Sequence, residues 1–390
     1  MGALPNLTLR FPSQCPIFVG QLAKQEMTIR ELTTLLTQWA PLSYAEDFDN
    51  VGLLTGQAEQ TCTGVLITLD TLESVVEEAI AKKCNLIVSF HPILFKGLKK
   101  LTDEDYVQRT LCKAIQNNIA IFALHTALDN HKEGVNAQIA SQLQLLNTKI
   151  LLPKKGTLKK LVAYVPKAHE KEVLEALYAA GAGALGHYEQ CSFVVEGFGS
   201  FRGNEQSNPT LGKPLEKTIV EEKQVQVIFQ AHQEQQVIEN LLASHPYETV
   251  AYEIYSTDNV NLEIGMGMVG ELPTPMEPKA FLKFVKTQMQ TPFIRHSELG
   301  VKKIHSVAVL GGSGSFAIAA AKRCKADVLV TADLKYHDFF QSEGQILLLD
   351  IGHFESEQFT KNAIYSYLKK KLPNFAIILS NTNTNPVNYF

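Results

Sequence analysis

Residues 65–92 read Val-Leu-Ile-Thr-Leu-Asp-Thr-Leu-Glu-Ser-Val-Val-Glu-Glu-Ala-Ile-Ala-Lys-Lys-Cys-Asn-Leu-Ile-Val-Ser-Phe-His-Pro. Two short apolar runs, Val65 to Leu69 and Leu86 to Phe90, bracket a stretch from Leu72 to Lys83 whose apolar side chains recur at helical spacing. Strands apolar along their whole length and joined through a helix belong to a parallel sheet covered on both faces. The pattern continues outward with a helix at Tyr106 to Asn117, a strand at Ala120 to Leu124 and a helix at Val135 to Leu145. This gives βαβ units and an α/β fold class.

The same order returns near the other end of the chain. Strands are expected at Ser306 to Leu310, Val328 to Thr331 and Ile346 to Leu349, with helices at Ser315 to Cys324 and Glu355 to Leu372 and a helix or loop at Lys335 to Gln341. Two copies of one plan imply an internal duplication, with one half at 27–152 and the other at 265–390. Between them, strands at Lys160 to Val165, Ser192 to Phe201, Val225 to Gln230 and Val250 to Tyr255 alternate with helices at Lys171 to Ala179 and Gln235 to Ser244. That βαββαβ order is ferredoxin-like, so 153–264 reads as an inserted α+β domain, with the polar stretch Arg202 to Glu222 as its central loop. Residues 1–26, with Pro5, Pro12 and Pro16 and no periodicity, read as a loose extension, the folded part beginning at Met27.

The bulk numbers exclude several classes. A length of 390 residues asks for more than one folding unit. A net charge of −4 supplies no surplus of cations for phosphate backbones, which argues against a nucleic-acid partner. Six cysteines, none in CxxC spacing and most among apolar neighbours, point to buried free thiols in a reducing compartment and to no thiolate metal site. No apolar run approaches the ~20 residues that cross a bilayer, and no secretory signal pattern opens the chain. The expected location is the cytoplasm, with no membrane partner.

Ligands of open α/β sheets gather beyond the carboxyl ends of the strands, and there this chain places His91, His125, Asp129, His353 and Glu357. The third strand of each half is followed by a histidine with a carboxylate four residues later: His125-Thr-Ala-Leu-Asp129 and His353-Phe-Glu-Ser-Glu357. Imidazole and carboxylate without thiolate suit divalent zinc, iron, manganese or cobalt, one or two ions per chain, Asp129 or Glu357 being the natural bridge. Each residue has a plainer reading beside this one. The histidines could be core or capping residues, Asp129 could cap a helix, Glu357 could sit in a helical first turn favoured by the macrodipole, and His91-Pro92 could be a simple turn. Gly311-Gly-Ser-Gly314 follows a strand and opens a helix, but lacks full dinucleotide spacing and reads better as a tight turn than as an anion site. Thr331 to Asp338 holds Asp333 and His337, read as pocket-lining, with a partner behind a ligand, a proton carrier and a plain surface loop all open as their role. Glu46-Asp-Phe-Asp-Asn-Val-Gly52 is a turn that either simply connects elements or approaches the site.

Together these motifs resemble the GTP cyclohydrolase I type 2 homologue family, also called NGG-one interacting factor three-like proteins. The resemblance is carried by Asp49-Asn-Val-Gly52, Ser89-Phe-His-Pro92, His125 to Asp129, Gly311 to Gly314, Asp333 to Asp338 and Asp350 to Glu357. It implies two divalent metal ions held by His91, His125, Asp129, His353 and Glu357, a toroidal homohexamer, and an insert similar to the PII or CutA fold. One position departs from the family. Where many relatives have a second histidine before the proline, this chain has Phe90, which cannot ligate, so one ion loses a donor.

Two functions follow as expectations. One is a metal-dependent hydrolase acting on an unidentified small molecule, with GTP cyclohydrolase-like or nucleotide and phosphoester hydrolysis as reaction types and His337 or a carboxylate moving the proton. The other is a non-catalytic, metal-responsive or partner-binding hexamer, which the absence of a nucleophile motif or full phosphate loop keeps open.

Overall fold

The computed structural model describes residues 26–300 and 303–390. Of the extension expected over 1–26, residues 1–25 lie outside the described residues. The first helix, Ile29–Trp39, is closed by a reciprocal cap in which Thr28 Oγ1 accepts from the N–H of Glu31 and the Glu31 carboxylate accepts from the N–H of Thr28.

The first half is a five-stranded sheet in the order Gly52–Thr55, Ala120–Ala123, Leu86–Ser89, Val65–Thr68, Ile377–Leu379. Its three inner strands, buried along their full length, run parallel as the apolar runs require. The second half repeats the plan with Arg295–His296, Leu347–Asp350, Val328–Ala332 and Ile304–Ser313 in that order, followed by Asn261–Met276 and Leu146–Lys154. In both halves a short antiparallel strand flanks the last of three parallel strands. The halves also exchange strands. Leu146–Lys154 follows the last helix of the first half yet pairs with Asn261–Met276 in the second sheet, while Ile377–Leu379 follows the last helix of the second half and pairs with Val65–Thr68 in the first. One apolar core runs through both, joining Leu32, Leu36, Val65 and Phe122 to Val307, Val330, Leu349 and Ile364.

The inserted unit has the ferredoxin-like order: Leu158–Pro166, Glu170–Ala179, Ser192–Arg202, Lys217–Gln230, Glu234–Ser244, Tyr252–Ser256. Its four-stranded antiparallel sheet buries a separate core, with Leu161, Val165, Val173, Leu177, Val225 and Leu241 fully enclosed. The chain is therefore a duplicated α/β protein with a ferredoxin-like α+β domain set into it.

Several local expectations change. The region read as a loop over Arg202 to Glu222 is strand from Lys217 onward, pairing with Ser192–Arg202 in a ribbon. Both faces of that ribbon are largely exposed, so its polarity masks its extended backbone. Helix Val135–Gln142 stops before the expected Leu145, and the helix expected over Glu355 to Leu372 divides into His353–Glu357 and Thr360–Lys371. Asn261–Met276, although it carries Gly265, Gly267, Gly270, Pro273 and Pro275, is a 16-residue strand. Gly265 is needed there, because a Cβ would lie 2.2 Å from the Leu152 carbonyl oxygen of the neighbouring strand. Of the five described cysteines only Cys62 and Cys84 are buried, Cys324 is exposed, and all five are free thiols. No helix among the described residues is long and apolar enough to cross a membrane.

Candidate metal centre

The two halves meet at the carboxyl ends of their parallel strands. His91 stands just past Leu86–Ser89, His125 opens the helical turn His125–Asp129 after Ala120–Ala123, and His353 opens His353–Glu357 after Leu347–Asp350. A spacing of four within one helical turn puts both members of each histidine–carboxylate pair on one face.

His91, His353 and Glu357 come together, each offering one ligand atom with all three inside 4.8 Å of one another. Glu357 Oε2 lies 3.2 Å from Nε2 of His91 and 3.2 Å from Nε2 of His353, and the two Nε2 atoms are 3.4 Å apart. Yet Glu357 Oε2 is buried without a well-aligned hydrogen bond, and so is Asp129 Oδ1. Two imidazole nitrogens converging on one buried carboxylate oxygen are what a set of metal ligands presents, and buried oxygens left unpaired are otherwise costly.

His125 and Asp129 stand beside this group. The His125 ring centroid is 5.3 Å from that of His91, and both residues line a cleft of about 210 Å³ together with His353 and Glu357. A second cleft, about 350 Å³, opens on the His91 side and shares His353 with the first. Asp333 flanks the second cleft. His337 is exposed, lies against Tyr336 and Phe340, and lines neither cleft. Phe90 is fully buried, its ring 4.8 Å from His91 and 5.7 Å from His125.

Every histidine of the group has a carboxylate behind it. His91 Nδ1 is 2.9 Å from Asp70 Oδ1, His125 Nδ1 is 2.7 Å from Asp49 Oδ1, and His353 Nδ1 is 2.7 Å from Asp333 Oδ2. Such carboxylates hold the proton on Nδ1 and leave Nε2 as the donor to a cation. Asp49 also accepts from the N–H and hydroxyl of Thr126. Against the opposing effect of burial, those bonds and His125 hold its carboxyl at about 2. His125 and Asp333 both have positive φ, 32° and 54°, conformations seldom adopted by residues with a Cβ and often found at functional sites.

Gly312, at φ 67°, brings the backbone against Glu357: a Cβ would stand 2.5 Å from Glu357 Oε1. The Gly311 N–H donates to Asn136 Oδ1 at 3.0 Å and the Gly312 N–H to Ser356 Oγ at 2.9 Å. The glycine-rich stretch thus carries the strand through Ser313, makes room for the carboxylate, and turns at Gly314 into the helical segment that begins at Ser315.

Charge in the group is balanced internally. Burial opposes charging His91, but Glu357 and Asp70 overcome it and raise its imidazolium to about 10. Burial likewise opposes charging His353, which Asp333 and Glu357 raise to about 11. Glu357, despite its burial, is held at about 2 by the two histidines. Asp129 is pushed well above the carboxylate range by burial and by the charge of Glu357. A divalent cation could replace these protons and stabilise the ionised carboxylates, so the donor set fits a metal.

Sequence reading missed Asp70, although it sits just past the strand Val65–Thr68 as the histidines sit past theirs. It reached Asp49 only as part of a turn.

The fold and this group define a class: duplicated α/β proteins with histidines and carboxylates of both halves gathered between their sheets. The sequence profile of Duf34/NIF3 (NGG1p interacting factor 3) matches residues 27–386, and the chain belongs to that family. A Bacillus subtilis relative named GTP cyclohydrolase 1 type 2 homolog is 37% identical over 92% of this chain and 98% of its own. A relative of the same name from Staphylococcus epidermidis is 34% identical over 93% of this chain and 100% of its own. Among solved structures, a Bacillus cereus protein related to NIF3 superposes with a TM-score of 0.83 at 34% identity, covering 93% of this chain and 99% of its own.

Proposed function

We propose that the chain is a metal-dependent hydrolase whose ion is held by His91, His353 and Glu357, with His125 and Asp129 as flanking donors to a second. The observation that carries this reading is the set of three imidazoles, each tied at Nδ1 to its own carboxylate, two of them meeting Glu357 Oε2 at 3.2 Å. A bound zinc, iron, manganese or cobalt ion supplies Lewis acidity, bringing the pKa of a water to ~7 and polarising the bond to be cleaved.

The chain's own residues do the rest. Asp70, Asp49 and Asp333 fix the rings, so that little reorganisation is needed on binding. Asp333, which lines the larger cleft and faces His353 Nδ1, is the carboxylate placed to move a released proton. His337, exposed on the helical turn Tyr336–Ser342 beyond Asp333 and outside both clefts, would act only at the solvent end of that path. The relatives' name, GTP cyclohydrolase 1 type 2 homolog, brings purine-ring opening forward as the first reaction to try, with phosphoester cleavage second, as a reaction open to a metal-activated water.

Protein prepared without chelators should carry one of these metals by elemental analysis and turn over a member of a nucleotide, nucleobase and phosphoester panel. His125→Ala combined with His353→Ala should abolish turnover, and His337→Ala should slow it without removing metal. Metal bound with no turnover on any substrate would favour the second reading, a non-catalytic, metal-responsive ring of six copies. That reading draws on the cleft of about 560 Å³ in the inserted domain, which is larger than either cleft at the metal group. Light scattering on the purified chain tests the homohexamer. A cytoplasmic location agrees with the five free thiols among the described residues.

A further inference from the structure

We propose that the segment Asn381–Phe390 is part of the site. In this proposal Thr384 positions His91 through Asp70, and the segment walls a cleft that admits a flat, uncharged or cationic molecule and turns away a nucleotide's phosphate. The inference rests on the metal-site reading above.

The segment has no regular secondary structure, yet it is firmly anchored. The Glu78 carboxylate accepts from the N–H of Asn381 at 2.9 Å, from the Thr382 hydroxyl at 2.8 Å and from Ser380 Oγ at 2.6 Å. Beyond that anchor, the buried Thr384 donates its hydroxyl to Asp70 Oδ2 at 2.6 Å, while Asp70 Oδ1 faces His91 Nδ1 at 2.9 Å. A hydroxyl, a carboxylate and a metal-facing imidazole thus stand in one chain of contacts. Carboxylates behind ligating histidines are themselves held by hydrogen bonds, and losing such support weakens metal binding. Further along, Asn385 Nδ2 donates to Glu355 Oε1 at 3.1 Å, and the Tyr389 ring lies 4.3 Å from that of Phe293.

These contacts lay the segment along the larger of the two clefts at the metal group, about 350 Å³ and near the lower end of ligand-cavity sizes. Phe293, Phe354 and Tyr389 give it aromatic faces suited to a planar ring. Its acidic lining is Asp70, Asp333, Asp350 and Glu355; facing them are Arg295, already bonded to Asp350 and to the Leu334 carbonyl, and the imidazoles of His91 and His353, whose charge Asp70, Asp333 and Glu357 offset. A phosphate entering here would meet more carboxylates than cations.

The test uses the full chain, with zinc affinity read by competition against a chromophoric chelator and ligand binding read calorimetrically on zinc-loaded protein. Adenine and adenosine 5′-monophosphate serve as probes. Thr384→Val should weaken zinc binding about 3- to 10-fold, less than the roughly 10- to 100-fold loss expected for Asp70→Asn. Thr384→Ser should restore it, and melting in chelator should be the same for all three Thr384 forms. Adenine should bind at least about tenfold more tightly than the monophosphate, and Tyr389→Leu should remove that binding. Unchanged zinc affinity in Thr384→Val overturns the positioning role. Adenine failing to bind, or the monophosphate binding as tightly, overturns the selectivity. If wild-type protein takes up no zinc, the metal reading falls as well. If it does, and His353→Ala abolishes uptake while Thr384→Val and Tyr389→Leu change nothing, this inference alone falls.

Discussion

At the scale of single residues, the site depends on places where a side chain is missing as much as on those where one is present. Gly312→Ala would force a Cβ to within 2.5 Å of Glu357 Oε1 at a φ of 67°. It should cost about 1–3 kcal/mol in thermal melts and lower zinc affinity, because the displaced atom belongs to a proposed ligand. Phe90 makes a different demand. Fully buried, with its ring 4.8 Å from that of His91 and 5.7 Å from that of His125, it contributes packing and no donor atom beside the two imidazoles. We expect one tightly held ion per chain after dialysis, with any second ion lost first, as counted by elemental analysis. The histidines and their partners four residues on were legible because both halves repeat them. Asp70 was not, since a lone aspartate after a strand carries no periodic signal, and Thr384 lies 314 residues from the carboxylate it supports.

At the scale of elements, the apolar parallel strands could be read because burial on both faces leaves unbroken runs of Val, Ile and Leu. Strands whose surroundings differ could not. Asn261–Met276 hides behind glycines chosen for close backbone approach, and Lys217–Gln230 begins in a ribbon with two wet faces. The stretch held by Glu78 has a pH signature of its own. Burial favours the neutral acid, but four hydrogen bonds to Ser380, Asn381 and Thr382 win and lower the carboxyl from 4.5 to about 2. A depressed acid stabilises the folded form above its unfolded pKa, and that contribution is lost as pH falls through the folded value. The amide resonances of Asn381 and Thr382 should therefore hold steady above about pH 4.5 and shift cooperatively as pH drops toward 2. Glu78→Gln should remove the transition.

At the scale of the molecule, the reciprocal exchange of Leu146–Lys154 and Ile377–Leu379 ties the two halves into one cooperative unit, because neither sheet is complete without the other's strand. The inserted sheet, with its own core, shares none of these pairings. Calorimetry should resolve two transitions, and zinc should raise only the one belonging to the paired halves, as binding to the native state requires. Substitution of Leu161 by alanine should lower only the other, by about 2–5 kcal/mol.

Lys154 and Asn261 are cross-strand neighbours, so the chain leaves for the inserted domain and returns at nearly the same point. Removing everything between them and bridging the gap with a tight turn would convert two strands of the second sheet into an ordinary β-hairpin. Nature could thus gain or discard roughly a hundred residues at this doorway while the chemistry next to it went undisturbed, much as an annex is built onto a house without moving its hearth.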